Sequence, residues 1–87
     1  MVLKQKYIRT DENKIIVFSE LLQHNEFKNF NPVSAGFISI STKKVEHNMQ
    51  YYYETDCACY GESVSLGLKS NEEDTALAKK QILGHID

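Results

Sequence analysis

Proline occurs once in this chain, glycine four times and tryptophan not at all. With no low-complexity tract and no internal repeat, a linker-joined or solenoid architecture is excluded. The glycines Gly36, Gly61, Gly67 and Gly84 are scattered and match neither a phosphate loop nor a dinucleotide fingerprint. Ser63 lies in GESVS, not G-x-S-x-G, so no nucleophile elbow is present. A basic excess is also missing: Lys plus Arg number 10 against 12 Asp plus Glu, for a formal net charge of -2. That charge argues against a general nucleic-acid or anionic-membrane binder. No stretch reaches the roughly 18 apolar residues that span a bilayer, so no membrane association is expected. The opening MVLKQKY has no apolar h-region, which leads to the expectation of a cytoplasmic protein. Its two cysteines are then expected to be reduced.

What is present points to one domain over residues 1–87. Hydrophobic residues make up 41% and charged residues 25%, within the ordinary range of a folded protein. The stretch KYIRTDENKIIVF at 6–18 predicts two strands around a turn, with Asp11, Glu12 and Asn13 supplying the turn chemistry. Ile15 to Phe18 form a β-branched and aromatic run that suits a central strand covered on both faces. Residues 19–31 predict a short or broken helix, capped by Ser19, with Leu21, Leu22 and Phe27 inward. Asn31-Pro32 ends it.

GFISIS at 36–41 alternates, with Ile38 and Ile40 on one face and Phe37, Ser39 and Ser41 on the other. Thr42 to Asn48 is polar enough to read as the loop of a long hairpin. MQYYYETDCACY at 49–60 and SVSLGLK at 63–69 read as further strands. In the second of these, Val64, Leu66 and Leu68 share the inward face while Ser63, Ser65 and Lys69 face water. Ser70-Asn71-Glu72-Glu73 fits a capping box, and Glu72, Glu73 and Asp74 complement the helix dipole. Leu77, Ala78, Gln81 and Ile82 form the inward stripe of that C-terminal helix, and Gly84 is its C′ residue. The fold class is therefore α+β: a small antiparallel sheet of four to five strands, a short helical connection, and a C-terminal helix packed on one face. The other face is left partly polar, and it or an uncovered edge would serve as a dimer surface.

In an extended segment 49–60, Met49, Tyr51, Tyr53, Thr55, Cys57 and Cys59 share the more apolar face. Both thiols then belong to the core, where cysteine behaves as a small hydrophobe. Same-face strand neighbours lie about 6.5–7 Å apart, too far for a disulfide. A zinc site from Cys57, Cys59 and His47 would need a further ligand, with His24 or His85 brought in by the fold. From Val64 onward the even-numbered residues point inward. A continuous strand cannot change parity, so Gly61 marks a bulge or tight turn.

Glu54, Asp56 and Glu62 read as solubilising acids, and Lys4, Lys6, Arg9, Lys14, Lys43 and Lys44 as a solvated basic surface. Among the consecutive tyrosines 51–53, alternation sends Tyr52 outward, with Tyr60 on the same face; exposed tyrosines suit interfaces.

The stretches KIIVFSELLQHNEFKNFNPVSAGFISI and CYGESVSLGLKSNEEDTALAKKQI resemble a group of small uncharacterised proteins from phages and mobile elements of gut bacteria. The resemblance covers most of the chain and carries no functional residues. It implies an intracellular accessory role, such as binding and blocking a host component.

The leading expectation is a small non-enzymatic binding protein that acts on a protein partner and self-associates as a homodimer, without a cofactor. The alternative is a small-molecule or nucleotide-binding oligomer with a site between subunits, using Arg9, Tyr52 and Tyr60, with Glu62 beside them. A zinc-binding module using Cys57 and Cys59 is the third reading.

Overall fold

A computed structural model describes residues 2–84. Strands β1 (Val2–Thr10), β2 (Ile15–Phe18), β3 (Pro32–His47) and β4 (Gln50–Tyr60) form one antiparallel sheet in the order β2-β1-β3-β4. A 3-10 helix, His24–Phe30, connects β2 to β3. Two short strands, β5 (Glu62–Ser63) and β6 (Leu68–Lys69), make a second small sheet, and helix α1 (Glu72–Ile82) closes the fold. The architecture is α+β, as the sequence predicts.

The β1–β2 turn forms where Asp11 to Asn13 place it. The Thr10 amide donates to the Lys14 carbonyl at 2.9 Å, and Asn13 takes the left-handed conformation at φ 61. The Thr10 hydroxyl accepts from the amides of Glu12 and Lys14, which satisfies the tip of the loop. Asn31, at φ 56, ends the 3-10 helix, and β3 begins at Pro32. A proline is tolerated at the first position of a strand.

Apolar residues are buried on both faces of the sheet. On the α1 face Tyr7, Ile38, Cys57 and Ala78 form the core, with Ile15, Val17, Ile40 and Cys59 packed against it. On the opposite face Ile8, Phe18 and Ala35 pack with Ile16, Phe27, Leu66 and Leu68. That second face is therefore covered by the 3-10 helix and the β5–β6 hairpin, not left polar.

Helix α1 also caps one amide on each edge strand of the sheet. The Thr75 hydroxyl accepts from the outward amide of Cys59 on edge strand β4 at 2.9 Å. At the other edge, Gln81 Oε1 accepts from the Ile15 amide at 2.9 Å while Nε2 donates to the Asn13 carbonyl at 2.5 Å. Unpaired edge amides invite pairing with another chain, and these contacts satisfy the amides of Cys59 and Ile15.

Several expectations are corrected. Strand β2 lies at the edge of the sheet, not its centre. Its apolar run is explained by the two cores that its alternate residues touch. Ser19 heads a turn, not a helix, and Leu21 and Leu22 are exposed; only Phe27 of that trio turns inward. Thr42 to His47 belong to β3, so the hairpin loop shrinks to Asn48 and Met49, both with positive φ. Two such residues define the tight hairpin turn whose twist matches the strands.

Residues 63–69 do not form one strand. Val64 to Gly67 turn between β5 and β6, Val64 is 88% exposed and Ser63 is buried. The break at Gly61 does occur, since φ there is +78 and the chain leaves one sheet for the other, but it does not turn Val64 inward. The N-cap of α1 is Asn71, one residue later than Ser70. Its capping-box partner is accordingly Asp74, and Gln81 and Ile82 are exposed.

Candidate functional site

Strand β3 is 16 residues long, and β1 pairs with it only as far as Val2↔Ser41. Beyond that point β3 and β4 continue as a two-stranded ribbon to the His47↔Gln50 pair at its tip. The ribbon accounts for the elongated dimensions of 48 × 27 × 17 Å.

The burial that puts Cys57 and Cys59 inward stops near Thr55. Tyr51, Tyr52 and Tyr53 are all exposed, Tyr53 at 70%, and Met49 stands at the turn. Tyr51 and Tyr53 are thus not core residues; the helix that covers the thiols does not reach them. Lys44 Nζ lies 4.2 Å from the centre of the Tyr51 ring. Lys43 pairs with Glu54 across the strands at 3.6 Å. A concavity of about 590 Å³ spans both strands of the ribbon, lined by Ser41 and Lys43 of β3 and by Tyr52, Tyr53 and Glu54 of β4 among others.

Tyr60 and Glu62 are brought together elsewhere, at the base of β4 on the face opposite α1. They border a cleft of about 500 Å³ with Lys4, Lys6, Phe37 and His24. The Tyr60 ring stacks on Phe37 at 6.0 Å, and Lys4 Nζ stands 4.6 Å from the centre of the Phe37 ring. Lys6 donates to the Leu22 carbonyl at 2.7 Å. His24 is buried beneath, with Nε2 2.8 Å from the Gly36 carbonyl. A carbonyl only accepts, so Nε2 carries the proton and donates. Burial, reinforced by the Lys6 charge, holds the His24 pKa below its ordinary 6.5, although the carbonyl bond favours the charged form.

The folded state thus takes up the His24 proton at lower pH than the unfolded chain does. The associated stability is present above about pH 6.5 and is lost as pH falls below it. Thermal melts between pH 7 and pH 5 are expected to show a falling Tm, and His24→Gln, which keeps a donor at the same place, is expected to flatten that step. An unchanged slope in the variant would contradict the assignment.

Arg9 is not beside these groups. It lies on the α1 face, where it bonds Asp74 at 3.1 Å and Asn13 at 3.0 Å and approaches Glu73 at 3.7 Å. Within one chain, Arg9, Tyr52 and Tyr60 occupy three separate places. Asp74 is the functional-looking residue that the sequence reading placed only as a helix-dipole charge. It is wholly buried and accepts from the Tyr7 hydroxyl at 2.5 Å and the Asn71 amide at 2.9 Å. Burial first, and Asp74 next, push the Tyr7 hydroxyl well above its ordinary pKa, so it stays a donor. The cluster is a clamp between α1 and β1.

The thiols fit the core reading. Cys57 is buried and Cys59 half-buried, and both are free. Burial pushes the Cys59 thiol up to about 12, with Asp74 adding to it, and burial and Asp56 raise Cys57. A nucleophile or metal ligand needs the thiolate, which these surroundings disfavour. His47 lies at the ribbon tip, roughly 23 Å along the ladder from Cys57 at about 3.3 Å per residue. His24 is bonded to Gly36 on the other face, and His85 lies outside the described residues. Among the described residues no three metal-binding side chains cluster, and no helix is long and apolar enough to cross a membrane.

No family model matches the sequence, and neither curated proteins nor solved structures give a match.

Proposed function

We propose that this protein is a small non-enzymatic binding protein that acts by contact with protein surfaces and associates with itself. The observation that carries this reading is the exposed tyrosine ribbon. Three consecutive tyrosines stand in solvent on a strand extension that the two cores do not require. Tyrosine rings bury large apolar area while the hydroxyl keeps a polar partner, and few rotamers are lost on contact. An accessory role in binding a host protein, implied by the resemblance, is the setting we attach to it. Size-exclusion chromatography with light scattering tests the self-association. A mass that rises toward the dimer with concentration is expected, and a strict monomer at high micromolar concentration would contradict it.

The cleft at Tyr60 and Glu62 favours a second reading, a small-molecule or nucleotide site. Two lysines and an exposed ring beside a concavity could take an aromatic ligand with an anionic group. A thermal-shift screen with nucleotides and phosphorylated metabolites decides it, since a ligand that binds only the folded state raises Tm by mass action. No shift with any of them would remove this reading.

A further inference from the structure

Along the ribbon, edge strand β4 runs past the reach of helix α1. In an antiparallel ladder, alternate residues turn their N–H and C=O groups toward opposite neighbours. The amides of Cys57 and Cys59 point away from β3, because Asp56 Oδ1 and the Thr75 hydroxyl accept from them at 2.9 Å each. The register of β3 with β4 is continuous from Phe37↔Tyr60 to His47↔Gln50. The backbone groups of Thr55, Tyr53 and Tyr51 must therefore point the same way. Among the described residues no strand lies beyond β4 in the sheet, and the side-chain caps on its outward amides fall at Cys57 and Cys59. The open edge begins where the caps on Cys57 and Cys59 end.

We infer that a second copy of this chain pairs here, β4 against β4, antiparallel about a two-fold axis at Tyr53. The inference rests on the self-association reading and names its interface. The register follows from the free groups. Only with Tyr53 opposite the partner's Tyr53 does Tyr51 meet the partner's Thr55 and Thr55 the partner's Tyr51, so that all three outward residues are paired. A shift by one residue offers groups already bonded to β3. A shift by two in one direction calls on the Cys57 amide, which Asp56 occupies, and sets Glu54 against the partner's Glu54. A shift by two in the other direction sets Thr55 against the partner's Met49, which is in the turn at φ 64.

Charge agrees with the chosen register. Glu54 falls opposite the partner's Tyr52, and Asp56 opposite the partner's Gln50, so no like charges face each other, which would be destabilising. On the other face Tyr51, Tyr53 and their copies form one row of rings. The opposite edge of the ribbon is flanked by Lys43 and Lys44, the residue type that discourages edge pairing. Pairing is thus confined to the isologous contact, which closes as a dimer and does not grow into a filament.

Because Tyr53 meets itself, a charge swap reads the axis directly. Sedimentation equilibrium should show the wild type as a dimer. Tyr53→Lys and Tyr53→Glu, at an exposed position, should each weaken association at least about tenfold with unchanged circular dichroism and Tm. An equimolar mixture of the two variants should dimerise again. If each variant is monomeric and the mixture stays so, the axis at Tyr53 is overturned. If the wild type is a dimer that neither variant disturbs, the edge pairing is overturned and self-association through another surface stands. A wild type that remains monomeric at roughly 500 µM overturns both.

Discussion

Replacing Asp74 by alanine is expected to cost about 3–5 kcal/mol of folding stability, the penalty for breaking a buried charged cluster by removing one partner. The side chain is 0% exposed and accepts from three donors on two segments, β1 and the N-cap of α1. The Tyr7 hydroxyl and the Asn71 amide both meet Oδ2, and the Arg9 guanidinium meets Oδ1. Without the carboxylate, a buried hydroxyl loses its partner and a largely buried guanidinium keeps only Asn13 and the exposed Glu73. Small domains have total stabilities of about 5–15 kcal/mol, so the variant should sit close to unfolding. Tyr7→Phe removes one hydrogen bond to a charged group and should cost about 1.5–3 kcal/mol. Denaturant unfolding followed by circular dichroism measures both, and a loss below about 1 kcal/mol for Asp74→Ala would mean that the clamp does not hold the helix.

The same cluster sets an acid limb. Burial opposes the charge on Asp74, but hydrogen bonds from Tyr7, the Asn71 amide and Arg9 prevail and hold its carboxyl below the ordinary 3.8. Its contribution is therefore complete above about pH 4 and disappears as pH falls below that value. The stability gap between wild type and Asp74→Asn should be flat from pH 5 to 8 and narrow under stronger acid.

Gly36→Ala is the second large effect expected, with a loss of about 1–3 kcal/mol or more from overpacking. A Cβ at Gly36 would lie 2.4 Å from the Tyr60 carbonyl oxygen and 3.3 Å from the Gly61 backbone. Those atoms are main chain at the end of β4 and cannot swing aside. The Gly36 carbonyl also accepts the hydrogen bond from His24 Nε2, so displacement would disturb the second core as well. Gly67→Ala is the informative control. A Cβ there meets nothing within 4 Å, but φ is +66, so only the backbone conformation is penalised. If both variants lose equal stability, close approach at Gly36 is not what selects glycine.

Much of this fold could be read from short-range pattern. The turn at Asp11 to Asn13, the alternation of Ile38 and Ile40, the inward thiols and the break at Gly61 all depend on neighbours in sequence. What was hidden depends on tertiary cover. Ile15 to Phe18 look central because both faces are buried, and their edge position is masked by Gln81, which satisfies the Ile15 amide from 66 residues away. Tyr51 and Tyr53 share the parity of Cys57, but parity gives the face and not whether anything lies on it. Thr42 to His47 look like a loop because a ribbon without a core needs no apolar face. Asp74 has an ordinary place in a helix N-terminus, and its partners Tyr7 and Arg9 lie at the far end of the sequence. Of the candidate site, Tyr52 could be read as outward and Tyr60 with Glu62 as neighbours. The open edge could not, because it is defined by where Thr75 and Asp56 stop capping β4.

The division between a folded body and a contact ribbon is tested most directly by shortening the ribbon. Replacing residues 44–53 with Asn-Gly joins the bonded pair Lys43↔Glu54 through a tight turn and removes Tyr51, Tyr52 and Tyr53. Light scattering and a thermal melt on this variant should give a monomer at concentrations where the wild type is a dimer, with Tm within a few degrees of wild type. A shortened protein that still dimerises, or one that no longer folds, would contradict the account.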